Sequence, residues 1–157
     1  MVFALSALEI HSNSFFGNAI PARCSKEGGN VSPHLAWRDA PPEAQSFALI
    51  CHDPDAPAIA NGQFGFTHWL LYNIPKIDEL AENSDIGTCG LNGYGDVAYG
   101  GPHPPAGHGP HRYYFVLFAL CSVMKLPQGL SLRDLLQHIE PDVIGMNRLV
   151  GVYETPV

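Results

Sequence analysis

Basic side chains are scarce in this sequence. Lys and Arg together number eight in 157 residues, against fifteen Asp and Glu, for a formal net charge of -7. A nucleic-acid binder needs a basic face; no basic run exists here, so nucleic acid is not an expected partner. An acidic chain can still hold a phosphorylated ligand in a local pocket. Long apolar runs are missing too: none reaches the ~20 residues that span a bilayer, so no integral membrane segment is expected. Met1 to Ser6 lacks a basic n-region and has too short an apolar run for a secretory signal. A cytoplasmic, thiol-reduced protein is the resulting expectation, and without secretion the sequon Asn30-Val31-Ser32 has no meaning. The four cysteines, Cys24, Cys51, Cys89 and Cys121, form no CxxC pair, which disfavours a zinc ribbon or a thioredoxin-like site. Cys51 and Cys121 lie in apolar runs and read as small core residues. There is no HExxH and no GxSxG. Cys51 and His52 are neighbours that would point to opposite faces of a strand, so they form no dyad.

Glycine and proline are abundant, at 16 and 14 residues. They favour a loop-rich, strand-rich fold over a helical bundle. The chain is 46% hydrophobic and has no repeat or linker, so one domain over residues 1–157 with an ordinary core is expected. Val2 to Ile10 reads as a first strand, Asn13 to Asn30 as loop, and Val31 to Trp37 as a short strand stopped by Asp39-Ala40-Pro41-Pro42. Ser46 to Cys51 is a compact apolar strand. Ala58 to Gly65 is a loop with the turn dipeptide Asn61-Gly62. Phe66 to Ile74 reads as a strand with Phe66, His68, Leu70 and Tyr72 on one face and Trp69 on the other. Glu79 to Gly95 is turn-rich, Tyr99 to Pro110 a Gly/Pro loop, and Arg112 to Leu120 the strongest strand. Ser131 caps a helix whose buried stripe is Leu132, Leu135, Leu136 and Ile139, with Asp134 in a capping-box position. Pro141 fits the start of a short second helix, and Arg148 to Tyr153 a last strand. The order of elements implies a mainly antiparallel β fold.

The chemistry gathers in three places. Asp53-Pro54-Asp55-Ala56-Pro57 cannot continue a strand or helix, so a buried strand ends there and presents Asp53 at its edge. His68 is an imidazole inside an apolar strand. Gly101-Pro102-His103-Pro104-Pro105 is followed by His111-Arg112-Tyr113, where His111 and Tyr113 share a side and Arg112 faces away, toward an acid. A carboxylate beside two imidazoles raises their pKa and favours imidazolium. Imidazolium, a tyrosine hydroxyl and loop amides could together receive a phosphate or carboxylate, with Asp53 orienting the rings and tempering the affinity. On residue types alone two other readings stand: a turn-capping Asp53 with separately satisfied core histidines, and a metal site. His103 and His108 read as loop residues, His103 being the better placed for a pocket mouth.

The ordered motifs Asp53 to Pro57, Thr67-His68-Trp69-Leu70-Leu71-Tyr72-Asn73-Ile74-Pro75, Tyr99 to Pro105 and His111-Arg112-Tyr113 resemble the phosphatidylethanolamine-binding protein family. The resemblance is strongest to its prokaryotic, Raf-kinase-inhibitor-like branch. It implies an antiparallel Greek-key β-sandwich with one or two short helices near the C-terminus. It also implies a pocket for small phosphorylated or anionic ligands at Asp53, His68, Gly101, Pro105, His111 and Tyr113, with His103 as a candidate addition at the mouth. The activity implied is non-enzymatic binding, with no cofactor and no metal, and with a regulatory or inhibitor role toward a kinase or serine protease as a further implication. The competing reading is a metal-assisted or His/Asp acid–base hydrolase using the same pocket. His103 stands where the family has Cys or Gly, Ser32-Pro33-His34-Leu35 departs from the family's early segment, and the chain stops at Val157, without the eukaryotic extension over the pocket. Kinase regulation is therefore not carried over. A homodimer follows from family analogy alone.

Overall fold

The computed structural model describes residues 5–57, 59–60 and 63–157. Among the described residues ten strands and one α-helix follow in chain order: β1 (Glu9–His11), β2 (Leu35–Arg38), β3 (Ser46–Asp53), β4 (Ile59–Ala60), β5 (Gln63–Phe64), β6 (Phe66–Ile74), β7 (Glu79–Leu80), β8 (Thr88–Cys89), β9 (His111–Leu120), α1 (Leu132–Ile139) and β10 (Val143–Tyr153). Five strands make one antiparallel sheet in the order β10-β9-β3-β6-β8, and three make a second in the order β1-β2-β7. The fold is therefore mainly β with two antiparallel sheets and one short helix toward the C-terminus. Among the described residues no helix is long and apolar enough to cross a membrane.

The large sheet is buried on both faces. On one side Phe47, Leu49, Cys51, Trp69, Leu71, Tyr113, Phe115 and Leu117 pack with Leu8, Ile10, Leu35 and Trp37 of the small-sheet layer. On the other, Ala48, Ile50, Leu70, Tyr72, Phe118 and Leu120 pack against Leu135 and Ile139 of α1. This double burial explains why β3 and β6 read as continuous apolar runs and not as alternating ones. The helix begins as its sequence predicts. Ser131 Oγ accepts a hydrogen bond from the Asp134 amide at 3.1 Å, and Leu132 and Leu136 flank the buried Leu135 and Ile139.

Several expected boundaries shift. The first strand is Glu9–His11, with residues 1–4 outside the described part, and the second strand starts at Leu35. The segment expected as a loop after Pro57 carries the short β4–β5 hairpin, whose expected turn at Asn61-Gly62 lies outside the described residues. Pro141 sits in a single 3-10 turn, Glu140–Asp142. The last strand begins at Val143, five residues before Arg148, because a register shift between Val143 and Gly145 absorbs the glycine. Cys121 is exposed just past the end of β9, whereas Cys51 is buried as expected.

The register of β6 carries the most consequential difference. Cys51 pairs with Trp69, but the next residue, His52, pairs with Thr67. His68 is the extra residue of a β-bulge, and a bulge re-aims the side chains around it. The expected face of Phe66, His68, Leu70 and Tyr72 is therefore broken. Leu70 and Tyr72 join the helix-side core, Trp69 joins the small-sheet side, and the His68 ring packs edge-on against Tyr113, with centroids 5.1 Å apart.

Candidate functional site

The site lies where β3 ends and where β6 and β9 begin. β3 runs to Asp53, two residues beyond its apolar stretch, and the Pro54-Asp55 turn stops it there. Asp53 Oδ1 accepts a hydrogen bond from the Asp55 amide at 2.7 Å, the local turn that a short carboxylate favours. Its Oδ2 meets His111 Nδ1 at 2.7 Å, with the two side chains only 3% and 2% exposed. A buried carboxylate without that partner would be strongly destabilising, so the pair fixes the orientation of the His111 ring.

Asp55 is more than the turn residue it resembles in sequence. Arg112 points away from His111 and grips Asp55 with Nε at 3.1 Å and Nη2 at 3.0 Å, while its amide donates to Asp55 Oδ2 at 2.9 Å. The guanidinium holds the Asp55 carboxyl below the usual carboxylate range. The start of β9 is thereby clamped to the turn that carries Asp53. Tyr113 follows on the His111 side. It is fully buried, and its hydroxyl has no hydrogen-bond partner among the described residues. Burial first, and the nearby Asp53 charge second, push its pKa up.

His68 is 3% exposed, between Phe66, Tyr94 and Tyr113. Its Nδ1 donates to the Gly100 carbonyl at 2.7 Å, and the Gly100 amide donates back to the His68 carbonyl at 2.9 Å. Burial lowers its pKa to about 4, outweighing the Gly100 hydrogen bond and the Asp53 charge, both of which act to raise it. The imidazolium expected for His68 is thus a neutral ring, because desolvation exceeds the pull of a carboxylate already shared with His111.

The Gly/Pro loop is held from behind. The Gly101 amide donates to Asn30 Oδ1 at 2.7 Å, Asn30 Nδ2 donates to the Tyr99 carbonyl at 3.2 Å, and the Tyr94 hydroxyl donates to the Gly101 carbonyl at 2.8 Å. Glycine is required at 101 because a Cβ there would lie 2.2 Å from the Cys24 carbonyl oxygen. On the far side, Thr155 Oγ1 donates to the Pro104 carbonyl at 2.5 Å.

These elements enclose a cavity of about 190 Å³, whose walls include Asp53, His68, His103, Pro105, His111 and Tyr113. Six of the seven residues singled out from sequence line it, and Gly101 stands behind the wall as a support. His103 is at the mouth, 45% exposed, with Nε2 3.7 Å from Glu27. Sequence reasoning missed Phe66 and Tyr94 as walls, and it missed His108. His108 Nδ1 lies 2.6 Å from His111 Nε2, so a chain Asp53–His111–His108 runs from the buried carboxylate to an exposed loop. Spacing on the strand signalled His111 and Tyr113, but nothing local marks a loop histidine three residues upstream as a partner. Among the described residues, no group of three or more His, Cys, Asp or Glu side chains is placed to hold a metal ion.

Comparison with known proteins agrees with this fold. The family model described as phosphatidylethanolamine-binding protein matches residues 11–154. A UPF0098 protein of Aquifex aeolicus is 38% identical over 156 residues, covering 94% of this chain and 88% of the relative. Among solved structures, a putative phosphatidylethanolamine-binding protein homolog of Chlamydia trachomatis, CT736, is 36% identical with a TM-score of 0.86, covering 95% of this chain and 98% of that one. YbcL of E. coli is 27% identical with a TM-score of 0.84, covering 96% of this chain and 99% of that one. The chain belongs to the phosphatidylethanolamine-binding protein family.

Proposed function

We propose that this protein binds a small oxyanion, a phosphate-bearing headgroup in particular, in the cavity beside Asp53, His68, His111 and Tyr113, and that it acts by binding and not by catalysis. The observation that carries the reading is the Tyr113 hydroxyl, fully buried at a cavity wall without a partner among the described residues. A buried hydroxyl left unpaired costs about 1–3 kcal/mol, and a ligand oxygen would relieve that cost. Family membership supports the same reading. The other walls are Ala56, Pro57, Phe66, Tyr94, Pro104 and Pro105, with His103 at the mouth, which suits a polar headgroup with a short apolar stem.

A His/Asp acid–base hydrolase is the weaker reading because both ring nitrogens of His111 are engaged, by Asp53 and by His108, which leaves that ring no free base. A protein target such as a protease would meet the outer surface. Asp53→Asn separates the two activities, since it alters the pocket and leaves that surface in place. The direct test is an NMR titration of the His68 and His111 ring signals with phosphoethanolamine. Saturable shifts at millimolar ligand are expected; unchanged signals would remove the oxyanion reading.

A further inference from the structure

The hydrogen-bond donors around the cavity are nearly all spent. His68 Nδ1 is committed to the Gly100 carbonyl. Both ring nitrogens of His111 are engaged, one by Asp53 and the other by His108. The Gly100 amide serves the His68 carbonyl, the Gly101 amide serves Asn30, and the Tyr94 hydroxyl serves the Gly101 carbonyl. Pro57, Pro104 and Pro105 line the cavity and have no amide hydrogen. Two groups remain. One is the Tyr113 hydroxyl, which can donate. The other is His68 Nε2: a neutral imidazole that donates through Nδ1 carries its lone pair on Nε2, so it accepts.

We infer that the pocket selects oxyanions that still carry a proton, phosphate monoesters in their singly charged form, over oxyanions of equal shape and charge that carry none. The inference rests on the oxyanion reading above and adds the protonation state of the ligand. A P–OH group donates to His68 Nε2 while a P–O⁻ oxygen accepts from Tyr113. An oxyanion without a proton sets an oxygen lone pair against the Nε2 lone pair, a mismatch in a site with little water to relieve it. Asp53 adds to the preference, because its buried carboxylate disfavours a second ligand charge. The titratable groups that act on His68 are Asp53 and His52 from β3, Tyr113 from β9, and Tyr94 from the loop after β8, together with the Gly100 and Gly101 carbonyls. Burial keeps the ring neutral down to about pH 4, so the lone pair persists through mildly acidic conditions.

Methyl phosphate and methyl sulfate provide the test. Below the second phosphate pKa of about 6 both are singly charged and tetrahedral, and only the phosphate has a proton to donate. Each is titrated into the full chain at about pH 5.5 and followed by the ring signals of His68 and Tyr113. Comparing the two at one pH removes the protein's own titrations from the result. Methyl phosphate is expected to bind at least about tenfold more tightly, the worth of one hydrogen bond to a charged partner. Methyl sulfate binding within about twofold of methyl phosphate would overturn the proton requirement and leave the oxyanion reading standing. If neither ligand moves the signals, the oxyanion reading itself fails, and the inference falls with it. His68→Gln, whose amide can turn to donate or accept, should bring the two ligands within about threefold. A full tenfold preference kept in that variant would show that His68 does not set it.

Discussion

Acidifying the protein from about pH 7.5 to about pH 5 should remove about 2 kcal/mol of folding stability through His68 alone. In the fold burial holds the His68 pKa at about 4, whereas an unfolded histidine titrates near 6.5. Between those values the unfolded chain binds a proton that the folded one refuses. Stability therefore rises with pH through that window and is lost as pH falls through it. At about pH 5 the size is set mainly by the unfolded value. Seven other histidines and the carboxylates titrate too, so the quantity to measure is a difference between proteins. Urea unfolding of wild type and of His68→Asn at the two pH values isolates it. Wild type should lose about 2 kcal/mol more than the variant, or about 4–8 °C in Tm for a chain of this size. A difference below about 0.5 kcal/mol would refute the buried, neutral His68.

Three further outcomes follow from the contacts around the site. Gly101→Ala forces a Cβ against the Cys24 backbone carbonyl; thermal melts should show a loss of about 2 kcal/mol or more, with weakened phosphoethanolamine binding in the same titration. Arg112→Ala breaks an ion pair whose arginine side chain is 59% exposed; solvent screening leaves such a pair little net worth, so the denaturant midpoint should barely move. His108→Ala removes the partner of His111 Nε2 while leaving the Asp53 contact intact. The ¹⁵N signal of that ring nitrogen should shift in the unliganded protein, with stability within about 1 kcal/mol of wild type.

Much of the framework was legible because it rests on local physical chemistry. Proline and aspartate end β3 where they stand in the chain, alternation along β9 puts His111 and Tyr113 on one side, and Ser131 with its leucine stripe marks α1. What escaped depends on partners distant in sequence. The bulge at His68 is a property of the β3–β6 register, and it alone decides that His68 faces the small-sheet side and not the α1 side. The neutral state of His68 follows from how deeply Phe66, Tyr94 and Tyr113 bury it, which residue types do not reveal. The Asn30 clamp on Gly101 spans 71 positions, and Tyr94 reaches the cavity from a segment that looks only like turns. His108 is the exposed loop residue its sequence suggests, but its contact with the His111 ring can be recognised only once β9 is in place.

The most direct test of the oxyanion pocket is a crystal structure of the protein grown with phosphoethanolamine at mildly acidic pH. The account predicts a phosphoryl group in the cavity, with one oxygen within hydrogen-bond distance of Tyr113 Oη and another of His68 Nε2, and with Asp53 still paired to His111. A phosphoryl group bound elsewhere on the surface, with Tyr113 Oη still unpaired, would contradict it.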